Sequence, residues 1–293
     1  MKILTDAPVE IVHWDYPDKA MPRDKLLAAV KGCDACLCML TEKINAEFFE
    51  AAGPQLKTVA TMSVGFDHID VPECKKRGIL TGYTPGVLHH TVAELTVALL
   101  LATTRRLSPA IDSVRNGGWG TWEPLGYCGT DIYGKTLGIC GMGEIGLEVV
   151  KRMRGFGCKI IYSDIRRKLD WENDYQMEYV SMEDLLKRSD FISIHTSLNP
   201  HTRHMFNMDK FKQMKKDAII INTSRGPVID QEDLTKALQQ GIIGGAGLDV
   251  AEPEPMKADN PLLKMPNVVI LPHIASYCLC FDRYPYSHGR DCR

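Results

Sequence analysis

The stretch Lys135-Thr-Leu-Gly-Ile-Cys-Gly141-Met-Gly143-Glu-Ile-Gly146 decides the fold of this 293-residue chain. An apolar strand-like segment, Thr136–Cys140, precedes the three glycines, and apolar residues follow them at helical spacing. Glycine at 141 permits a tight turn, glycine at 143 lets a pyrophosphate approach the backbone, and glycine at 146 lets the helix pack closely on the strand. The N-terminus of the helix offers free N–H groups to phosphate. The sequence therefore predicts a dinucleotide-binding strand–turn–helix unit.

An acidic residue stands where such a unit needs one. Asp164 follows Gly146 by 18 residues and comes directly after a second predicted strand, Lys159–Ser163. An acid at about 20 residues from the glycines binds the hydroxyls of the adenosine ribose. Asp164 is therefore the predicted ribose contact.

The bulk composition excludes several other classes of protein. A net charge of −2 argues against a nucleic-acid-binding surface, and the longest apolar run, Leu95–Ala102, is too short to span a membrane. The N-terminus has no signal-peptide pattern, and ten scattered cysteines are typical of thiols in a reducing compartment, which predicts a cytoplasmic protein. Cys33 and Cys36 have no second cysteine pair at zinc spacing, so no metal site is predicted.

Strand-like and helix-like segments alternate along the chain, which is typical of an α/β fold. We predict a doubly wound parallel Rossmann sheet with a second, smaller flavodoxin-like α/β domain for the substrate. The boundaries are residues 1–84 for the smaller domain, expected to be incomplete at its N-terminus, 85–276 for the NAD(P)-binding domain and 277–293 for an irregular tail. Predicted strands of the smaller domain are Val9–His13, Ala35–Met39, Thr58–Thr61 and Ile79–Gly82, with helices Arg23–Val30, Ala46–Ala52 and Val71–Arg77. After a long helix, Val92–Arg105, the larger domain has predicted strands Thr136–Cys140, Lys159–Ser163, Phe191–His195, Ala218–Asn222, Ala246–Val250 and Val268–Leu271, and helices Glu144–Phe156, Met182–Lys187, Met208–Met214 and Gln231–Gln239.

Three ionisable residues follow successive predicted strands. They are Arg225, Glu254 and His273. Because ligands of open α/β sheets bind beyond the carboxyl ends of the strands, we expect these side chains to converge on the cofactor crevice. A guanidinium that pairs with a carboxylate and an imidazolium held by a neighbouring acid suit hydride transfer to a 2-keto acid.

The chain resembles the D-isomer-specific 2-hydroxyacid dehydrogenase family, and within it the reductases of glyoxylate and hydroxypyruvate. The resemblance covers about residues 9–276 in the order and spacing of the family. The matching stretches are Thr61-Met-Ser-Val-Gly-Phe-Asp-His68, Lys76-Arg-Gly-Ile, Gly82-Tyr-Thr-Pro, Thr91-Val-Ala-Glu-Leu, Asn116-Gly-Gly-Trp119, the Gly141 motif, Asn222-Thr-Ser-Arg-Gly, Gly247-Leu-Asp-Val and Leu271-Pro-His-Ile.

The resemblance implies roles for individual residues. Arg225, Glu254 and His273 become the catalytic triad; Glu252 also precedes a proline, and Glu254 is chosen by its interval from Arg225. Val64 and Gly65, with Arg225, are implied as substrate-binding residues. Trp119 and Trp122 fall in a segment that resembles the dimer-contact region of the family, so a homodimer is expected; a place in a substrate pocket or in the core is the alternative for these two tryptophans. The implied cofactor contacts are Thr91, Gly141, Met142, Gly143, Glu144, Ile145, Gly146, Asp164, Arg166, His195, Thr196, Thr223, Ser224, Asp249, His273 and Ala275.

The cofactor choice stays open at this point. Asp164 would repel the 2′-phosphate of NADP, whereas Arg166 and Arg167 resemble the arginines with which family members accept it, so NAD is favoured over NADP. The implied reaction is hydride transfer from NAD(P)H to a small 2-keto acid, converting glyoxylate to glycolate and hydroxypyruvate to D-glycerate. The alternatives are a 3-phosphoglycerate dehydrogenase-like enzyme, a dinucleotide-sensing module like the corepressors that share this fold, and a truncated isoform without activity.

Overall fold

The computed structural model describes residues 6–16 and 19–277. The chain divides into two compact units, Met1–Val87 and Leu88–Arg293. The break lies near the predicted boundary after residue 84. Apart from Tyr277, the predicted irregular tail lies outside the described residues.

The first unit is built on a small parallel sheet. Strands β1 (Ala35–Cys38), β2 (Thr58–Thr61) and β3 (Leu80–Gly82) pair in the order β1-β2-β3, and helices α1 (Arg23–Ala29), α2 (Ala46–Ala52) and α3 (Val71–Arg77) alternate with them. The helix ends follow from local sequence: the side chains of Asn45 and Asp70 cap α2 and α3, and Gly78 ends α3 in the left-handed conformation. Its core is formed mainly by Ile44, Phe48, Phe49 and Val59.

The predicted strand Val9–His13 is wrong. Residues 6–16 contain no strand, and Val9 and Val12 are 56% and 61% exposed. A short segment rich in β-branched residues forms a strand only when a neighbouring strand pairs with it and one of its faces is buried. Neither condition is met for this segment within the described part of the chain.

Seven parallel strands lie in the described residues of the second unit. Its strands are β4 (Thr136–Cys140), β5 (Lys159–Ser163), β6 (Glu178–Tyr179), β7 (Phe191–Ile194), β8 (Ile219–Asn222), β9 (Gly245–Leu248) and β10 (Val268–Ile270). Its helices are α4 (His89–Thr104), α5 (Leu107–Arg115), α6 (Glu144–Met153), α7 (Leu169–Tyr175), α8 (Met182–Arg188), α9 (Met208–Phe211) and α10 (Gln231–Gln239).

The strand order is β10-β9-β8-β7-β4-β5-β6. The chain therefore starts in the middle of the sheet at β4, winds outward to β6, and crosses back to β7, which is the doubly wound order with its switch point between β4 and β7. The predicted parallel Rossmann sheet is confirmed. Apolar clusters cover the sheet on both faces, because buried strands such as β7 and β8 carry apolar side chains at every position but Ser193 and Asn222. None of the described helices has the length and apolar character needed to cross a membrane.

Two of the α-helices and one of the strands described in this unit were not predicted from the sequence. Helices α5 and α7 bury none of their residues, and strand β6 has only two residues, both exposed. In α7 and β6 the apolar pattern that identified the other elements is weak, because neither element faces a core. Helix α5 does carry apolar residues at helical spacing, Leu107, Ile111 and Val114, but this face is exposed, and the helix was not predicted.

A buried carboxylate links α4 to α6. Glu148, only 7% exposed, receives hydrogen bonds from Lys151 Nζ and Arg152 Nη1, both at 2.6 Å, and its Oε2 lies 2.8 Å from Nδ1 of His90 on α4. Burial works to raise the pKa of Glu148, but the hydrogen bonds from Lys151, Arg152 and His90 outweigh it and lower the pKa to about 2. The ionised form is therefore the one that stabilises the folded unit.

We predict that Glu148→Gln lowers the free energy of unfolding by about 1–3 kcal/mol at pH 7, because three donors lose a charged acceptor. The wild-type contribution should be fully present above the ordinary glutamate pKa of 4.5 and should fade as the pH falls toward 2. Urea unfolding of both proteins at pH 7 and at pH 3 measures this. The matched control is Glu183→Gln, which removes an exposed carboxylate paired with Lys187 and should cost less than about 0.5 kcal/mol. An equal loss at both pH values would contradict the prediction.

Candidate active site and cofactor site

The glycine turn lies at the carboxyl end of β4, at the switch point of the sheet. Gly141 has a φ of +93°, and a Cβ there would come within 2.9 Å of the His195 carbonyl group. A Cβ on Gly146 would lie 2.6 Å from the Gly141 oxygen, whereas a Cβ on Gly143 would have no atom within 4 Å. Glycine is thus required for packing at 141 and 146, and the backbone at 143 borders open space.

The first turn of α6 fits a pyrophosphate. Its N-cap residue is Gly143, and no side chain accepts a hydrogen bond from the helix N-terminus. The N–H groups of this turn, which includes Glu144 and Ile145, therefore point out of an uncapped helix end beside the open space at Gly143. A bound dinucleotide would supply the acceptors for these groups, so the residues present fit such a cofactor.

The predicted ribose acid also braces the turn. One carboxylate oxygen of Asp164 accepts the N–H of Met142 at 2.6 Å, and the other accepts the N–H of Arg166 at 2.8 Å. Asp164 thus ties the turn after β5 to the turn after β4. The carboxylate is half-buried, and its contact with a ribose remains a prediction.

The residues after β7 complete this end of the crevice. Burial lowers the pKa of His195 to about 3, so the ring is neutral, and its Nε2 lies 2.8 Å from Ser193 Oγ. The hydroxyl of Thr196 is buried and has no hydrogen-bond partner among the described residues. A buried hydroxyl without a partner is costly unless a ligand supplies one, which fits the predicted cofactor contact.

An asparagine shapes the turn that carries Arg225. Asn222 donates from Nδ2 to the Arg225 oxygen at 2.9 Å, and its Oδ1 accepts the N–H and the hydroxyl of Ser224 at 3.0 and 2.8 Å. Thr223 Oγ1 lies 2.8 Å from Thr96 Oγ1 on α4, and Arg225 Nη1 donates to the Ser224 oxygen at 2.9 Å. Asn222 and Thr96 were not among the predicted site residues; an asparagine at the end of an apolar strand is a signal for such a side-chain-braced turn.

Glu254 and His273 lie together at the ends of β9 and β10. Glu254 Oε2 and His273 Nδ1 are 2.8 Å apart, and Glu254 Oε1 accepts the N–H of Ala251 at 2.9 Å. Burial acts to raise the pKa of Glu254, but the His273 hydrogen bond, the Ala251 N–H and the charges of His273 and Arg225 together lower it. Glu254 is therefore an ionised partner for the imidazole, within reach of the charge of Arg225.

A buried aspartate holds the His273 loop. Asp249 is completely buried, and its two carboxylate oxygens accept the N–H groups of Ile274 and Ala275, each at 2.8 Å. His273 itself has a φ of +57°, a left-handed conformation that is unfavourable for a residue with a side chain. Asp249 thus stabilises the strained backbone that presents His273; burial raises the pKa of Asp249 despite the two N–H groups.

The contacts predicted for Val64, Gly65 and Thr91 stay predictions. In the first unit, Ser63 Oγ donates to the Gly65 oxygen at 2.6 Å, and the N–H groups of Val64 and Gly65 have no hydrogen-bond acceptor within the described part of the chain. Thr91 lies half-buried in the first turn of α4.

No group of three or more potential metal ligands occurs among the described residues. Burial also raises the pKa of the Cys36 thiol to about 12, so this thiol stays protonated.

The sheet order, the glycine turn at the switch point and the paired acid and imidazole define a nucleotide-dependent dehydrogenase domain. Residues 97–275 match the family described as D-isomer specific 2-hydroxyacid dehydrogenase, NAD binding domain. The chain is 50% identical to a glyoxylate reductase of Korarchaeum cryptofilum, over 89% of this chain and 79% of that protein. It is 45% identical to the human glyoxylate reductase/hydroxypyruvate reductase, over 92% and 82% of the two chains. The crystal structure of an Aquifex aeolicus D-lactate dehydrogenase complexed with NAD and lactic acid superposes with a TM-score of 0.81, at 33% identity, over 94% and 85% of the chains.

The chain belongs to the D-isomer-specific 2-hydroxyacid dehydrogenase family. The predicted family, the α/β class of the fold and the assignment as an oxidoreductase are confirmed. The match to an NAD-binding domain also supports a nicotinamide dinucleotide as cofactor, without deciding between NAD and NADP.

We predict that Asp249→Asn weakens the His273 loop, because one of the two N–H groups then faces an amide NH₂ instead of a carboxylate oxygen. The free energy of unfolding should fall by about 1–3 kcal/mol, the cost of an unsatisfied buried donor. Chemical denaturation measures the stability. Asp259→Asn, at an exposed turn position, is the matched control and should change stability by less than about 0.5 kcal/mol. A stable variant with unchanged unfolding would show that Asp249 does not brace this loop.

Proposed function

We propose that this chain reduces small 2-keto acids with a reduced nicotinamide dinucleotide, with glyoxylate and hydroxypyruvate as substrates. The observation that carries the proposal is the 2.8 Å hydrogen bond between His273 and Glu254, beyond the carboxyl ends of strands in the sheet that carries the glycine turn. The names of the relatives from Korarchaeum cryptofilum and human support the choice of substrates.

Each residue of the triad has a chemical task in this proposal. The bound cofactor would supply a hydride to the keto carbon of the substrate. His273 would donate the proton to the keto oxygen from Nε2, because its Nδ1 is engaged by Glu254. Arg225 would pair with the substrate carboxylate, a task that suits a guanidinium. Glu254 would stabilise the positive charge of the imidazolium before the proton leaves.

The cofactor that we propose is NAD rather than NADP. A half-buried carboxylate at Asp164, fixed by two backbone N–H groups, would accept hydrogen bonds from ribose hydroxyls and would repel a 2′-phosphate. The two N–H groups hold the carboxylate in place, so it cannot easily swing away from a phosphate. This arrangement supports NADH as the preferred reductant.

We also propose that two copies of the chain form a dimer through the surface of α5 and the segment that follows it. Leu107, Ile111 and Val114 lie on one face of α5 and are 45%, 46% and 55% exposed, and Trp119 and Trp122 are 81% and 82% exposed. An apolar stripe next to two exposed tryptophans has the composition of an interface core. A second copy is the favoured occupant because the segment resembles the dimer-contact region of the family.

A cytoplasmic location completes the proposal. The described cysteines, seven in number, are all free thiols, and burial raises the pKa of several of them. Unpaired buried thiols are typical of proteins that fold in a reducing compartment.

The assay that tests the function follows the absorbance of NADH and of NADPH on glyoxylate and on hydroxypyruvate. Replacement of His273 by Gln should lower kcat by a factor of about 10²–10⁴, because the proton donor is lost, while NADH binding measured by fluorescence stays nearly unchanged. His201→Gln, a change at an exposed histidine, is the matched control and should retain full activity.

Absence of turnover in the wild type on both substrates, with NADH bound normally, would contradict the proposed substrates. It would favour the dinucleotide-sensing alternative, and turnover of 3-phosphoglycerate instead would favour the 3-phosphoglycerate dehydrogenase-like one. If neither cofactor binds or raises the melting temperature, the alternative without activity is favoured.

The dimer is tested by sedimentation velocity. We expect the wild type to sediment as a dimer, and the double variant Trp119→Ser/Trp122→Ser to shift toward the monomer, since large buried aromatics dominate the binding energy of interfaces. Leu263→Ser removes an exposed apolar side chain elsewhere and should leave the dimer intact. A monomeric wild type across the concentration range would disprove the proposed interface.

A further inference from the structure

Arg167, one of the two arginines that follow the ribose acid, is paired within the protein. Its Nε donates to Glu172 Oε1 at 2.9 Å and its Nη2 donates to Glu172 Oε2 at 2.8 Å. Two parallel charge-assisted bonds are the strongest arrangement that a guanidinium makes with a carboxylate. The pair therefore uses the Nε–Nη2 edge of the guanidinium and compensates its charge.

Glu172 is held in this position from its other side. Its side chain is only 11% exposed, and the hydroxyl of Tyr162 donates to its Oε1 at 2.7 Å. The same hydroxyl accepts the N–H of Lys168 at 2.7 Å, just before α7 begins. A carboxylate fixed by a buried tyrosine keeps its orientation, so Arg167 has a stationary partner.

The cluster is attached to the turn that carries Asp164. The Arg167 guanidinium lies over the Tyr179 ring, 5.7 Å from its centre, and the Tyr179 hydroxyl donates to the backbone oxygen of Asp164 at 3.2 Å. The pairing of Arg167 is therefore a part of the ribose-binding corner and not a distant surface pair.

We propose that Glu172 is a specificity-determining residue for the cofactor: by binding Arg167 it withholds one of the two arginines that could pair with a 2′-phosphate. This inference rests on the proposed function and deepens its choice of NAD. Glu172 acts through Arg167 and is a positioning residue, whereas Asp164 acts on the ribose directly.

The charges of the corner support this role. The Arg167 hydrogen bond lowers the pKa of Glu172, so the carboxylate is ionised at neutral pH and the pair persists under working conditions. Because Glu172 compensates the charge of Arg167, less positive charge is left to offset the repulsion between the Asp164 carboxylate and a 2′-phosphate. Replacement of Glu172 by glutamine keeps the shape of the side chain and removes the charge, which frees Arg167 to turn toward an added phosphate.

The test uses adenosine 2′,5′-bisphosphate and ADP as probes, with binding measured by calorimetry. We expect Glu172→Gln to raise the affinity for the bisphosphate about tenfold and to change the affinity for ADP by less than about twofold, because one charge-assisted contact is gained only with the 2′-phosphate. The ratio of kcat/KM for NADPH to that for NADH should rise by a similar factor, through the KM of NADPH. Comparing two ligands on one preparation cancels any loss of folded protein.

Two further variants make the test specific. The double variant Glu172→Gln/Arg167→Gln should lose the gain, because the released cation is gone. Glu178→Gln is the matched control. It removes a carboxylate of the same charge on the neighbouring strand β6, where Glu178 pairs with Arg188 of α8, and it should leave the bisphosphate affinity unchanged.

The inference is overturned if Glu172→Gln changes both ligands equally, if it changes neither, or if Glu178→Gln has the same effect. Its failure is distinguishable from failure of the proposed function. Wild-type protein that binds ADP but shows no gain in the variant refutes only the role of Glu172. Wild-type protein that binds neither ADP nor the bisphosphate refutes the dinucleotide site and this inference with it.

Discussion

The close approach between the first turn of α6 and the end of β4 is the constraint on which the rest of the site depends. A side chain at Gly146 would collide with the Gly141 oxygen, and one at Gly141 would collide with the backbone of His195. Only glycine lets the helix begin directly above the strand, with its N–H groups directed at open space. Because the sheet is parallel, the turns after β5, β7, β8 and β9 reach the same edge, and each is tied there by a side chain or a close backbone contact.

The same edge holds ionisable groups whose protonation states are set by different partners. Asp249 and Glu254 both lose solvent, but the pKa of Asp249 rises whereas that of Glu254 falls, since Glu254 also receives the His273 hydrogen bond and the attraction of two positive charges. Burial without a charged partner keeps His195 neutral. Asp249 thus supports the backbone after His273, Glu254 is an ionised partner of the His273 ring, and His195 is an uncharged ring beside the glycine turn.

How far the sequence predicted the structure depended on burial. Strand β5 and helices α2, α3 and α10 match their predicted bounds, because their apolar spacing and end signals, such as Asn45 and Gly78, act locally. Helix α7 was missed since it has no buried face, and α5 was missed although its apolar residues recur at helical spacing on an exposed face. The strand Val9–His13 was wrong because a short apolar segment alone cannot provide a neighbouring strand. Arg225, Glu254 and His273 were predicted as a triad from their places after strands, and Glu254 and His273 do lie in hydrogen-bond contact. Asn222 and Thr96 were not given a role.

The sequence by itself determined the class of the fold, the glycine turn and the family, because these depend on residue types at fixed short spacings. Tertiary structure alone decided which partner each charged group has. Glu254 meets His273, Asp249 holds the N–H groups after His273, and Glu172 binds Arg167 against two tyrosines. The first two pairings join segments 19 or more residues apart, and all depend on side-chain directions that no spacing in the sequence specifies.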